Sequence, residues 1–156
     1  MNWDAVGAVG EIVGASAVVV SLLYLAIQIK SQNRESRSAA MHDILVGFRD
    51  TVADFGGPEV ADLYVRGMKS IDSFTDAEMF QMNTGAQRFF RLWEEAFYLH
   101  SQGRLEGENW DGMNRQLASF WSTAGFQHVW SIRQQYYGKE FVKMVNSLDN
   151  PTYKIR

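Results

Sequence analysis

The chain has 156 residues, and its 46% hydrophobic and 13% aromatic content excludes a disordered polymer, since ten Phe, six Tyr and five Trp bury a large area per residue. A net charge of -3 argues against a concentrated basic face, and with it against nucleic acid as a partner. The absence of Cys removes disulfides, thiol catalysis, iron–sulfur clusters and cysteine-type zinc sites together.

From Val6 to Ile29 the chain reads VGAVGEIVGASAVVVSLLYLAIQI, with Glu11 its single charge. As a helix this stretch is about 36 Å long, enough to cross a hydrocarbon core of about 30 Å with some tilt. A buried helix of a soluble protein is the competing reading, but such helices rarely stay apolar on every face for six turns. The pattern predicts an all-α protein in which residues 1–30 form a transmembrane helix, with membrane lipid as its first partner, and residues 31–156 one small helical domain. Insertion is favourable by a narrow margin. The twelve Val, Ile and Leu residues contribute about 4 to 7 kcal/mol, against roughly 3 for a carboxylate at the bilayer centre. Glu11 lies one to two turns from Trp3 and Asp4, where snorkelling lowers that cost.

A cleaved leader is not expected, because the first ten residues carry Asp4 and neither Lys nor Arg. Lys30, Arg34 and Arg37 follow the apolar run, so the positive-inside rule predicts an external amino terminus and a cytoplasmic domain. Trp3 is placed as an interfacial anchor.

Small residues inside the run are ordered. Gly7, Gly10, Gly14, Ala17 and Ser21 follow a 3,4,3,4 spacing that keeps them on one helical face, and the register continues through Tyr24 to Gln28. Gly10 and Gly14 form a GxxxG pair, which lets two backbones approach closely in a bilayer. A homo-oligomer through this face is the favoured expectation, with another membrane protein as the alternative partner. The plainer reading is that Gly and Ala are common in membrane helices. Glu11 borders the stripe, which makes it a candidate ion or proton site near the outer mouth of a homo-oligomeric channel. Its competing role is a carboxylate near a helix amino end, interacting with the macrodipole and the headgroups. A phosphate-binding loop is rejected: the spacing is GxxGxxxG and no strand precedes Gly7.

Beyond the polar stretch Ser31–Ser38, Met41, Ile44, Leu45, Phe48, Val52 and Phe55 predict an amphipathic helix ending at Gly56-Gly57-Pro58. No Pro interrupts residues 1–57, so the two helices run together unless the Ser-rich stretch forms a hinge. Pro58 opens a short helix to about Lys69. Thr75 and Glu78 spell a capping box ahead of a central core helix with Phe80, Phe89, Phe90, Trp93, Ala96, Phe97 and His100, closing at Gly103. Trp110, Met113, Leu117, Phe120, Trp121 and Ala124 form the next helix, up to Gly125, and Phe126, Val129 and Trp130 open another. After Gly138 a last helix carries Phe141, Val142, Val145 and Leu148 and ends before Asn150-Pro151.

Chemistry-bearing patterns are sparse. His42, His100 and His128 fall in no metal-ligand spacing, so neither metal nor cofactor is expected. Glu94 and Glu95 lie three and four residues from Arg91, with Arg88 a further three residues back, which predicts surface ion pairs rather than an acid–base pair. Nucleophile elbows, P-loops and kinase motifs are missing, so catalysis is disfavoured. Phe90, Trp93, Trp121 and Trp130 form a candidate ligand pocket, with Arg91, Glu95 or His100 at its edge, and core packing explains the same four residues without a ligand.

The opening NWDAVGAVGEIVGASAVVVSLLYLAIQIKSQNRE and the later FFRLWEEAFYLHSQGRLEGENWDGM resemble a family of small bacterial single-pass membrane proteins beginning W-[DE]-A-x-G-x-x-G-E-[IV]-[IV]-G-A. The resemblance strengthens the membrane-anchor reading, implies no catalytic residues, and makes the face of the glycines and Glu11 the first place to test function. The expected role is a self-associating inner-membrane scaffold or accessory subunit. The alternatives are a homo-oligomeric ion channel and a ligand-sensing helical domain.

Overall fold

The structure, a computed structural model, describes residues 3–148, apart from the side chains of residues 5 and 6. Among the described residues every regular element is helical: α1 (Trp3–Phe55), α2 (Pro58–Gly67), α3 (Asp76–Ser101), α4 (Gly107–Trp121), α5 (Ala124–Arg133), a 3-10 turn (Gln134–Tyr136) and α6 (Lys139–Asn146). The chain divides into two compact units, Met1–Ala39 and Ala40–Arg156.

In the first unit, α1 is helical through the Ser-rich residues 31–38, the alternative to a hinge there. Its hydroxyls are satisfied locally: Ser16 Oγ donates to Ile12 O at 2.8 Å and Ser21 Oγ to Ala17 O at 2.9 Å. Such i−4 bonds let a serine sit in an apolar environment without an unpaired donor. Ile12, Val20, Leu23 and Ile27 are each more than 60% exposed.

In the second unit the core gathers around α3. Phe89, Phe90, Trp93 and Ala96 are buried, at the three- and four-residue spacing that keeps one stripe inward. Against this stripe pack Leu63 and Tyr64 of α2, Leu117 and Trp121 of α4, Phe126, Val129 and Trp130 of α5, and Phe141 and Val145 of α6. Each such large apolar side chain contributes about 1.5 to 3 kcal/mol on burial.

The predicted capping box is present. Thr75 Oγ1 accepts from the Glu78 backbone, and the Glu78 carboxylate accepts from Thr75 N at 2.8 Å. Glu78 also accepts from Arg66 of α2 at 2.5 Å, and the Arg66 guanidinium lies over Phe74, tying the end of α2 to the start of α3. Gly103, at φ 69°, closes α3 in the left-handed conformation that favours glycine.

Several expectations are corrected. The inward face of the carboxyl-terminal part of α1 carries Ala40, Ile44 and Thr51 as buried residues, whereas Leu45 and Val52 are half-exposed. Phe80, expected in the core helix's buried stripe, is 72% exposed. The break before α5 falls at Ser122–Thr123, and Gly125 sits inside α5. A Cβ at Gly125 would meet Met82 Cε at 2.5 Å and Gly67 O at 3.0 Å, so this glycine serves the close approach of α2 and α5 rather than ending a helix. α2 stops at Gly67, two residues short of Lys69, and α6 ends at Asn146; Asn150-Pro151 lies outside the described residues.

Candidate functional site

Two regions were singled out by the sequence, and a third emerges from the structure. Gly7, Gly10, Gly14, Ala17 and Ser21 all lie exposed on α1, and a Cβ built on any of the three glycines meets nothing within 4 Å. The stripe is thus an open helical face with room for a second backbone. Glu11 is exposed beside it. Farther along, Gln28 Nε2 donates to Tyr24 Oη at 3.0 Å, joining the last two positions of the same register.

The aromatic quartet is packed as core. Phe90 and Trp93 are fully buried, Trp130 is 4% exposed and Trp121 8%. The Phe90 ring lies 4.9 Å from Trp130, 6.0 Å from Phe126 and 6.4 Å from Trp93, so its neighbours occupy the space a ligand would need. Two of the indoles are held by amides that the sequence reading passed over: Trp93 Nε1 donates to Asn114 at 3.0 Å and Trp130 Nε1 to Asn146 at 2.8 Å. Trp121 Nε1 is buried without a partner.

Of the charged residues on α3, Arg91 forms the local pair that spacing suggested and Arg88 does not. Arg91 pairs with Glu94 at 2.6 Å, three residues on, whereas Arg88 reaches out of its helix to Asp54 near the end of α1. Glu94 also accepts from Gly138 N at 2.7 Å, and Arg91 donates to Tyr136 O at 3.0 Å while its guanidinium lies 4.4 Å over the Tyr137 ring. These bonds fasten the turn before α6 onto α3. His100 stacks on Trp110 at 5.2 Å and its Nδ1 lies 3.2 Å from Leu105 O, a structural role. Among the described residues no three His, Asp or Glu side chains converge as a metal site requires.

The third region is a cleft of about 250 Å³ that no sequence pattern marked. Phe55 of α1, Val60 and Tyr64 of α2, and Phe80, Gly85 and Arg88 of α3 line it. The Tyr64 ring is 6% exposed and lies 4.3 Å from that of Phe55. Burial pushes its phenol up to about 12, against the opposing pull of Arg88. A Cβ at Gly85 would collide with Tyr64 Oη, so the hydroxyl rests on bare α3 backbone. The available signals were a glycine within a long helix and an aromatic at position 80 out of step with the buried stripe; neither is specific before the partner helices are known.

Comparison with family models, with curated proteins and with solved structures finds no match for the chain. Fold and site therefore define its class: an all-α protein with a single helix, among the described residues, long and apolar enough to cross a membrane. That helix is joined in sequence to an aromatic-cored helical domain.

Proposed function

We propose that the chain is a single-pass protein of a bacterial inner membrane. In this reading it self-associates through the Gly7, Gly10, Gly14, Ala17 and Ser21 face of α1 and presents its helical domain to the cytoplasm as a scaffold or accessory subunit. The observation that carries the reading is that the apolar stretch of α1 is wholly unburied. An apolar patch of this extent is unstable in water, and lipid covers it without requiring further protein. The flanking Lys30, Arg34 and Arg37 support the cytoplasmic placement of the domain, and the resemblance of the opening segment to small bacterial membrane proteins supports the compartment. The open space over Gly10 and Gly14 supports self-association, since close backbone approach replaces the hydrophobic drive that helices lack in lipid.

The test is the oligomeric state of the intact chain in mild detergent beside that of a chain beginning after Arg37. The intact protein is expected to be an oligomer and the shortened one a monomer. Leucine at both Gly10 and Gly14 is expected to dissociate the intact protein while the helical domain stays folded. A monomeric intact chain, or assembly indifferent to both leucines, overturns the interface.

A further inference from the structure

The cleft between the end of α1, α2 and the first half of α3 plays no part in self-association through the glycine face, and three of its features suit a ligand. Tyr64 is the first. Its ring is buried, and phenylalanine would fill the same space, but its hydroxyl is open to the cleft. Among the described residues it has no protein hydrogen-bond partner, so a molecule in the cleft can accept from it. Gly85 is the second. A glycine weakens the interior of a 26-residue helix, and here it keeps clear the seat of that hydroxyl, where any Cβ would collide with it. The third is Phe80, an aromatic on the cleft wall that is 72% exposed on a helix whose other phenylalanines face inward or are half-buried.

We propose that this cleft binds a small, uncharged, flat aromatic molecule bearing one hydrogen-bond acceptor, with its rings against Phe55 and Phe80 and its acceptor on Tyr64 Oη. At about 250 Å³ the cleft falls just below the usual range for drug-sized ligands, which sets the size at one or two fused rings. Its polar edge is neutral as built: Arg88 is already paired with Asp54. A carboxylate ligand would have to displace Asp54, and an amine would have to displace Arg88, whereas a carbonyl needs neither. The phenol, its pKa pushed up to about 12 by burial, remains a donor throughout the physiological range. The inference is independent of how the membrane helix associates.

Coumarin, a fused bicycle with a lactone carbonyl, is the probe, and naphthalene, of similar size but without an acceptor, is the comparator. Equilibrium dialysis against the full chain in lipid nanodiscs, with empty nanodiscs subtracted, is expected to give one coumarin per chain, bound about fivefold more tightly than naphthalene. Tyr64→Phe is expected to lower coumarin binding to the naphthalene level and to leave naphthalene unchanged. Thr84→Trp, at an exposed position on the cleft wall, is expected to remove both. Near-ultraviolet circular dichroism checks the fold of each variant, and if Thr84→Trp disturbs it the Tyr64→Phe comparison decides. No binding above empty nanodiscs, equal affinity for the two probes, or an unchanged coumarin affinity in Tyr64→Phe overturns the proposal.

Discussion

Gly85→Ala places a methyl group where Tyr64 Oη lies, and the same Cβ also meets Tyr64 Cζ at 3.0 Å and Phe55 Cε1 at 3.1 Å, so both rings must shift. Two effects oppose each other. Removing a glycine from a helix interior stabilises by about 1 kcal/mol, and overpacking a filled site costs about 1 to 3. The overlap with the hydroxyl is far inside van der Waals contact, so the steric effect wins and the substitution is expected to destabilise the domain by about 1 to 2 kcal/mol. In a Tyr64→Phe background the colliding oxygen is gone, and the two remaining carbons need shift only by tenths of an ångström. There Gly85→Ala is expected to be neutral or mildly stabilising, which gives a coupling of about 1 to 3 kcal/mol between the positions. Urea unfolding of the full chain in nanodiscs, followed by tryptophan fluorescence, measures all four corners of the cycle. Equal effects of Gly85→Ala in both backgrounds would refute the claim that this glycine makes room for the tyrosine hydroxyl.

Glu78 is held down to about 2 by hydrogen bonds from Thr75 and by Arg66. Because the folded value lies below the ordinary 4.5, its contribution to stability is present above about pH 4.5 and is lost as pH falls toward 2. Glu78→Gln is therefore expected to lower the urea midpoint at pH 7 and to match the parent near pH 2; a constant difference across that range would contradict the linkage. Asn114→Leu leaves the Trp93 indole N–H buried without its acceptor and is expected to cost about 1 to 3 kcal/mol in the same urea assay. A further Trp93→Phe substitution removes that orphaned donor, so the cost of Asn114→Leu is expected to shrink in its presence; an undiminished cost would place the effect elsewhere.

Much of the fold was legible because it rests on local rules. The Thr75–Glu78 capping box, the stop at Gly56-Gly57-Pro58 and the left-handed Gly103 each follow from chemistry within a few residues, and each falls where the spacing put it. What failed depends on partners distant in sequence. Gly125 reads as a breaker until Met82 and the Gly67 carbonyl are seen against it. Arg88 reads as a local ion-pair partner until Asp54, 34 residues away, is brought beside it. Phe80 fits the apolar count of α3 and still lies outside its buried stripe, because among the described residues no side chain covers that angle. The aromatic quartet shows the converse: residues suited to a pocket wall fill the space themselves, and the open cleft lies where Gly85 and Tyr64 leave room.

If the proposed function holds, the apolar part of α1 resides in lipid. Membranes from cells producing the full chain, washed with high salt, then urea, then alkaline carbonate, separate inserted proteins from those held by charge or by folded partners. The full chain is expected to stay in the membrane pellet through all three washes, and a chain beginning after Arg37 is expected to be released. Release of the full chain by carbonate, with the protein recovered in the supernatant, would contradict it.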